Sequence, residues 1–209
     1  MNSDSIDIAA FSYESWIRFF FAPDEDHGII SRSHVMKELF IEIGDPARVL
    51  EYLVTMNSEL DRLGERYSSK EIDDGLWVMF GPPFELGKVL FVSSIPLSER
   101  VRCLESIYSV YVNEVSVLDC DIKETFYWTW WDMISHTLWG RVNQRWANLK
   151  RRQVWLYKTD VTLLDDDERK IFDEIFATLS RMLTIDDWGC QQCALHGLAD
   201  TPPGKRTCH

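Results

Sequence analysis

The chain has 209 residues, of which 45% are hydrophobic and 27% are charged, a composition typical of globular proteins rather than disordered or fibrous ones. This length can bury a core without disulfides, and no apolar run approaches the roughly 20 residues of a membrane-spanning helix. The net charge of −12 disfavours binding to nucleic acids and anionic membranes, because both would repel the protein. Five scattered cysteines and an N-terminus without a secretory signal predict a reducing, cytoplasmic environment.

Two neighbouring segments in the first third of the chain show helix start and stop signals. Within 45–64, Asp45 is a candidate N-cap, Pro46 suits the first helical position, and Gly64 suits the position after the end. Apolar residues recur between them at mostly helical spacing. The same pattern of cap, apolar stripe and glycine predicts a separate helix over 33–44.

Further helices are predicted downstream. Ser68 and Glu71 have the spacing of a capping box. A run of acidic residues that begins at Asp165 favours a helix N-terminus, because these charges complement the helix dipole. Within 98–118, apolar residues recur at alternating steps of three and four positions, which indicates one long helix. The predicted ranges are 68–81, 98–118, 165–185 and 186–199.

Signals for β-strands are scarce. The runs 89–92 and 154–157 are short and apolar without a helical period, but neither is bounded by a hairpin turn. Seven or eight helices joined by short loops leave little room for a sheet. We therefore expect an all-α fold with helices in antiparallel pairs, either an irregular bundle or a short HEAT-like solenoid. The whole chain, 1–209, is predicted to be one helical domain with a flexible C-terminal tail from about 201.

Two short motifs carry a resemblance to known proteins. The stretch DGLW at 74–77, which follows YSS at 67–69, and the stretch ALHGL at 194–198 resemble an uncharacterised group of bacterial helical proteins. That group is similar in outline to short HEAT-like solenoids. The resemblance implies a helical fold and no activity, because fold alone does not determine function.

The best candidate for a metal site lies near the C-terminus. Cys190, Cys193 and His196 are ligand types that zinc prefers, and Cys208 with His209 would have to complete the set. On a helix, however, the first three side chains fall within an arc of about 120°, which is the width of a core-facing stripe. We therefore expect packing and no metal, with a zinc-stabilised protein as the alternative.

Residues 126–139 form an unusually aromatic segment, which contains four of the nine tryptophans. A helix that is aromatic nearly all round is typical of a buried, central position. Alternatively, some rings line a binding groove, with Trp130, Trp131 and Trp139 as the candidate contact residues. We expect burial, which is the commoner position for large apolar side chains.

Two polar features adjoin the aromatic segment. Asp132 and His136 would share one helix face, but no catalytic motif accompanies them, so a salt bridge is the expected role. Residues 141–158 carry six positive charges and no acid, which leaves a charge of −18 on the rest of the chain. We expect this basic segment to neutralise neighbouring acidic helices rather than to bind nucleic acid.

Together these features favour a non-enzymatic protein-interaction module of the bacterial cytosol. Its specific form would be an immunity- or antitoxin-like protein that docks a basic partner through complementary charge. The alternatives are an enzyme with a motif-less pocket around Asp132 and His136, and the zinc-stabilised helical protein. No cofactor is expected.

Overall fold

The fold is all-α, as the sequence predicts. A computed structural model describes residues 5–22, 40–81, 84–113 and 163–200, together with 131, 134, 137–138, 140–142 and 144–145. Within these ranges one short pair of strands interrupts the helices. The predicted tail after 201 and the apolar run 154–157 lie outside the described residues.

The strand pair joins two segments that are distant in sequence. Strand β1 (Ser5–Asp7) pairs in parallel with strand β2 (Phe40–Glu42), with Ile6 opposite Ile41. The carboxylate of Asp7 strengthens the junction, since its Oδ1 accepts hydrogen bonds from the backbone N–H groups of Ala9 and Gly44, both at 2.9 Å. The prediction of helix at the end of 33–44 is therefore wrong, and the earlier part of that range lies outside the described residues.

Helix α1 (Tyr13–Phe21) follows a short 3₁₀ turn at Ile8–Ala10 and was not among the predicted helices. The side chain of Ser12 caps it by accepting from the backbone N–H of Ser15 at 3.2 Å. Buried apolar residues dominate the helix, which packs against helix α4 described below. These residues are Trp16, Ile17, Phe19, Phe20 and Phe21.

The predicted helix over 45–64 is two helices, α2 (Pro46–Ser58) and α3 (Leu60–Arg66). Its start is confirmed, because Asp45 caps α2 and accepts from the backbone N–H groups of Ala47 and Arg48. Its end is wrong: Glu59 leaves helical geometry, with φ −122° and ψ 17°, and Gly64 lies inside α3. The break allows the two helices to pack in different directions, as a single straight helix would not.

Helix α4 (Ser69–Phe80) begins with the predicted capping box, in which Ser68 and Glu71 bond each other's backbone N–H groups. It ends at Gly81, also as predicted. The apolar run 89–92 is not a strand, since Leu86–Phe91 is a 3₁₀ helix. This turn starts after Glu85, whose φ of 47° lies in the left-handed region.

The second half of the described chain contains three longer helices. They are α5 (Leu97–Asn113), α6 (Asp166–Met182) and α7 (Trp188–Asp200). Helix α5 packs on α2 and on α6, and α6 packs in turn on α7. The helices α2, α5, α6 and α7 therefore form a continuous series of neighbours. Among the described residues, no helix combines the length and the apolar character that crossing a membrane requires.

Gly75 of α4 provides a test of the packing between α1 and α4, and Gly64 of α3 provides the control. A Cβ on Gly75 would lie 2.2 Å from Cδ1 of Phe21, so Gly75→Ala should lower the free energy of unfolding by about 1–3 kcal/mol through overpacking. A Cβ on Gly64 would meet no described atom within 4 Å, so Gly64→Ala should raise stability by about 0.5–1 kcal/mol. Urea unfolding of both variants measures the difference, and equal stabilities would contradict this packing.

Candidate functional site

The two cysteines that were candidate zinc ligands, Cys190 and Cys193, point into the core between α7 and α5. The thiol of Cys190 donates to the backbone carbonyl of Tyr111 at 3.7 Å, and the thiol of Cys193 donates to the Tyr111 hydroxyl at 3.3 Å. Both cysteines are buried, while His196 is half-buried. This arrangement agrees with the packing interpretation. No cluster of three metal-ligating side chains occurs among the described residues, which do not include Cys208 and His209.

Trp131 lies in the same part of the core. It is 0% exposed, and its ring stacks on Tyr111 with centroids 6.3 Å apart. Burial raises the pKa of Tyr111 well above its ordinary value, and the neighbouring Cys193 adds to the effect. Trp131 is thus buried, as the core interpretation expects. Of the remaining candidates, Trp130, Trp139, Asp132 and His136 all lie outside the described residues.

A buried ion network surrounds the first turn of α6, and the sequence predicted its basic partners but not the burial of Glu168 at its centre. Glu168 exposes only 2% of its side chain. Its Oε1 accepts from Arg141 Nε at 2.9 Å and from Arg145 Nη2 at 2.8 Å, while its Oε2 pairs with Arg145 Nη1. Its Oε2 also accepts from the backbone N–H of Asp165 at 3.1 Å, which closes a capping box. These partners offset the desolvation of a buried carboxylate.

The same network extends to α5 through Arg100. Its side chain is 2% exposed and pairs with the carboxylate of Asp167. Arg145 additionally donates to the carbonyl of Leu163 at 2.9 Å, and its hydrogen bonds to Glu168 raise its pKa above the ordinary value. For Arg141 and Arg145 this confirms that the basic segment neutralises an acidic helix. Lys150, Arg151, Arg152 and Lys158 lie outside the described residues.

An open cleft lies between α2 and the start of α5. Its volume is about 510 Å³, and Leu50 and Ile95 form part of its apolar lining. The charged groups on it are three carboxylates and two guanidiniums, of which Arg102 pairs with Glu99 at 2.7 Å. Its lining contains no histidine, cysteine, serine or threonine, so it lacks the side chains most often used as a nucleophile with its base.

Helix α7 is the most unusual surface element among the described residues. Its fully buried residues are small, whereas Trp188 and Leu195 are 73% and 54% exposed. Trp188 and Leu195 are seven residues apart, which is about two helical turns, so they lie on one side of the helix. We call this side the outer face of α7. It comprises Trp188, Gln192, Leu195 and Ala199, all exposed.

Close packing explains why the small residues of α7 face inward. A Cβ on Gly197 would lie 2.8 Å from Cδ2 of Leu179 and 3.1 Å from Cβ of Trp131. Larger residues on this side would force α7 away from α6 and from the tryptophan. The outer face was not predicted from the sequence, although the spacing of Trp188 and Leu195 on a helical wheel contains the signal.

No protein-family model matches the chain. No curated protein and no solved structure matches it significantly either.

Replacement of Trp131 tests the buried aromatic core. Trp131→Ala should lower the free energy of unfolding by about 3–5 kcal/mol, because it leaves a cavity beside Tyr111 and Gly197. Denaturant unfolding followed by circular dichroism measures the loss. A variant as stable as the wild type that had lost a bound partner would instead support the groove interpretation.

Replacement of Glu168 tests the ion network. Glu168→Gln should destabilise the fold by about 1.5–3 kcal/mol, because it weakens the charged hydrogen bonds to Arg141 and Arg145, whose guanidiniums are partly solvated. Asp166→Asn is the matched control: Asp166 is exposed in the same helical turn, and its loss should cost only about 0.3–1 kcal/mol. Equal losses in the two variants would show that the network adds little beyond the helix dipole.

Chelation tests the packing interpretation of the cysteines. Because both thiols already bond Tyr111 in the core, treatment with EDTA should leave the melting temperature unchanged. Stoichiometric zinc in the purified protein, combined with a large fall in melting temperature after chelation, would favour the zinc-stabilised alternative.

Proposed function

We propose that this chain is a non-enzymatic protein-interaction module of the bacterial cytosol that binds a basic protein partner. Its action would be that of an immunity protein or an antitoxin, in which an acidic surface covers a basic effector. The observation that carries this proposal is the outer face of α7. Its two large apolar side chains, Trp188 and Leu195, are mostly exposed and so contribute little to the stability of the fold. Exposed apolar side chains that lie together are typical of protein interfaces.

The charge of the chain supports a basic partner. The net charge is −12, and many of the described cations are already paired with carboxylates of the same chain. Because each such pair uses one carboxylate as well as one cation, the electrostatic field around the chain reflects its surplus of acidic side chains. Such a field accelerates encounter with a cationic surface and repels nucleic acids and anionic lipids.

The two alternatives have less support from the described residues. An enzyme around Asp132 and His136 would depend on residues that the structure does not describe. The lining of the described cleft between α2 and α5 has three carboxylates but no histidine, cysteine, serine or threonine. A zinc site would require Cys190 and Cys193 to give up their hydrogen bonds to Tyr111.

Binding kinetics at several salt concentrations test the proposal. The full chain is used as bait for affinity capture from a bacterial lysate, and each retained protein is then purified. Since exposed charges are screened beyond about 8 Å at physiological salt, the association rate with the true partner should fall at least about tenfold as salt is raised. Capture of only neutral or acidic proteins with salt-independent rates would contradict the proposal, as would turnover of a small molecule by the pure chain.

A further inference from the structure

We infer that the outer face of α7 is the docking site for a cationic amphipathic helix of the partner protein. This inference rests on the proposed function and specifies the surface and the chemistry of the partner. It depends on the inverted arrangement of apolar residues on α7, on the spacing of its exposed side chains and on the charge around it.

The arrangement of α7 is the reverse of that in an ordinary surface helix. Such a helix buries its largest apolar side chains and exposes its polar ones. In α7 the fully buried residues are the small Cys190, Cys193, Ala194 and Gly197, and Leu198 packs partly buried against the core, while Trp188 and Leu195 are exposed. Close packing on Leu179 and Trp131 accounts for the small inner residues, but it does not account for large apolar residues at exposed positions, where a polar side chain is the ordinary choice. Their exposure is accounted for if a partner covers them.

A third exposed apolar side chain lies next to the contact between α7 and α5. Val112 is 39% exposed and directly follows Tyr111, whose carbonyl accepts the bond from Cys190. Of the four large apolar side chains exposed among the described residues, two therefore belong to the outer face of α7, and Val112 belongs to α5. The fourth, Trp77, lies on α4, which packs against α1.

The spacing on the outer face fits a helix better than an extended strand. Trp188 and Leu195 are seven residues apart, which places them about 10.5 Å apart along the helix axis. Residues at this spacing form a ridge that fits between the side chains of a second helix with apolar residues every three or four positions. The helix Trp188–Asp200 is long enough for about 14 residues of such a partner to lie along it.

The charges around α7 select a cationic partner. The helix contains no lysine or arginine, and Asp186 and Asp187 precede it directly. Arg181, at the end of α6, is already engaged, since its guanidinium lies 4.5 Å from the centre of the Tyr108 ring and 3.5 Å from a carboxylate oxygen of Glu174. A second copy of this chain would bring a like charge of −12 to the interface, which opposes association.

Synthetic peptides test the inference on the full-length chain. The probe is a peptide of about 15 leucines and lysines, with leucine at helical spacing. A permuted peptide of the same composition without an apolar face controls for charge alone. We expect the wild type to bind the amphipathic peptide at least about tenfold more tightly than the permuted one, as measured by fluorescence anisotropy at physiological salt.

The variants locate the binding. The double variant Trp188→Ala/Leu195→Ala should lose this tenfold preference, whereas Trp77→Ala, which removes an exposed tryptophan elsewhere, should keep it. Asp186→Asn should weaken binding of the amphipathic peptide without changing the melting temperature, because Asp186 is exposed and the cap of α7 is provided by Asp187. Circular dichroism confirms that each variant is folded, which is expected since the replaced side chains are exposed.

The outcomes separate the inference from the proposed function. Salt-dependent binding of both peptides to every variant would overturn docking on α7 and leave a basic partner in place. No binding of the amphipathic peptide would also overturn it, and the lysate experiment then decides the proposed function independently. Sedimentation of the wild type as a dimer that Trp188→Ala/Leu195→Ala converts to a monomer would show that a second copy occupies the face.

Discussion

The ion network at the N-terminus of α6 is the constraint on which the second half of the structure depends. Glu168 is buried, and it receives two guanidiniums from the stretch that follows the aromatic segment. Asp167, one residue earlier, holds the buried Arg100 of α5. Because one turn of α6 binds cations from two other parts of the chain, it fixes their relative positions. Removal of Arg141 and Arg145 would leave the buried Glu168 without compensation, and removal of Asp167 would do the same to the buried Arg100, which is the costly case for a buried salt bridge.

The network also affects the outside of the molecule. Arg100, Arg141 and Arg145 all serve internal pairs, and the exposed Arg66 and Lys70 likewise bind carboxylates of this chain. Most of the cations among the described residues are thus paired with carboxylates of the same chain. Acidic side chains outnumber basic ones by 12 in the whole chain, and this surplus is a basis of our proposal that the partner is basic.

The position of α7 follows from a requirement for close approach. Gly197 allows the helix to reach Leu179 and Trp131, and the two cysteines are small enough to reach Tyr111. Close packing therefore requires small side chains at these positions on the inner side of α7. Its outer face carries Trp188 and Leu195 for which the fold provides little cover, and this supports our proposal that a partner covers them.

Local chemistry determined the helix starts that the sequence predicted. Asp45, Ser68 and Asp165 cap their helices through bonds to backbone groups two or three residues away, so a short stretch of sequence contains the whole signal. Ser12 is a signal of the same kind before the aromatic run of α1, and that helix could have been predicted from it.

Only the tertiary structure decided the features that depend on distant residues. Strand β2 forms because β1, 35 residues earlier, supplies its hydrogen-bond partners, and the break at Glu59 lies in a segment with a continuous helical pattern. The stripe of Cys190 and Cys193 was predicted to face the core, and the contacts with Tyr111 bear this out. A helical wheel shows that α7 has two apolar sides. It does not show that Trp188 and Leu195 stay exposed, because that depends on the space that α5, α6 and Trp131 leave around the helix.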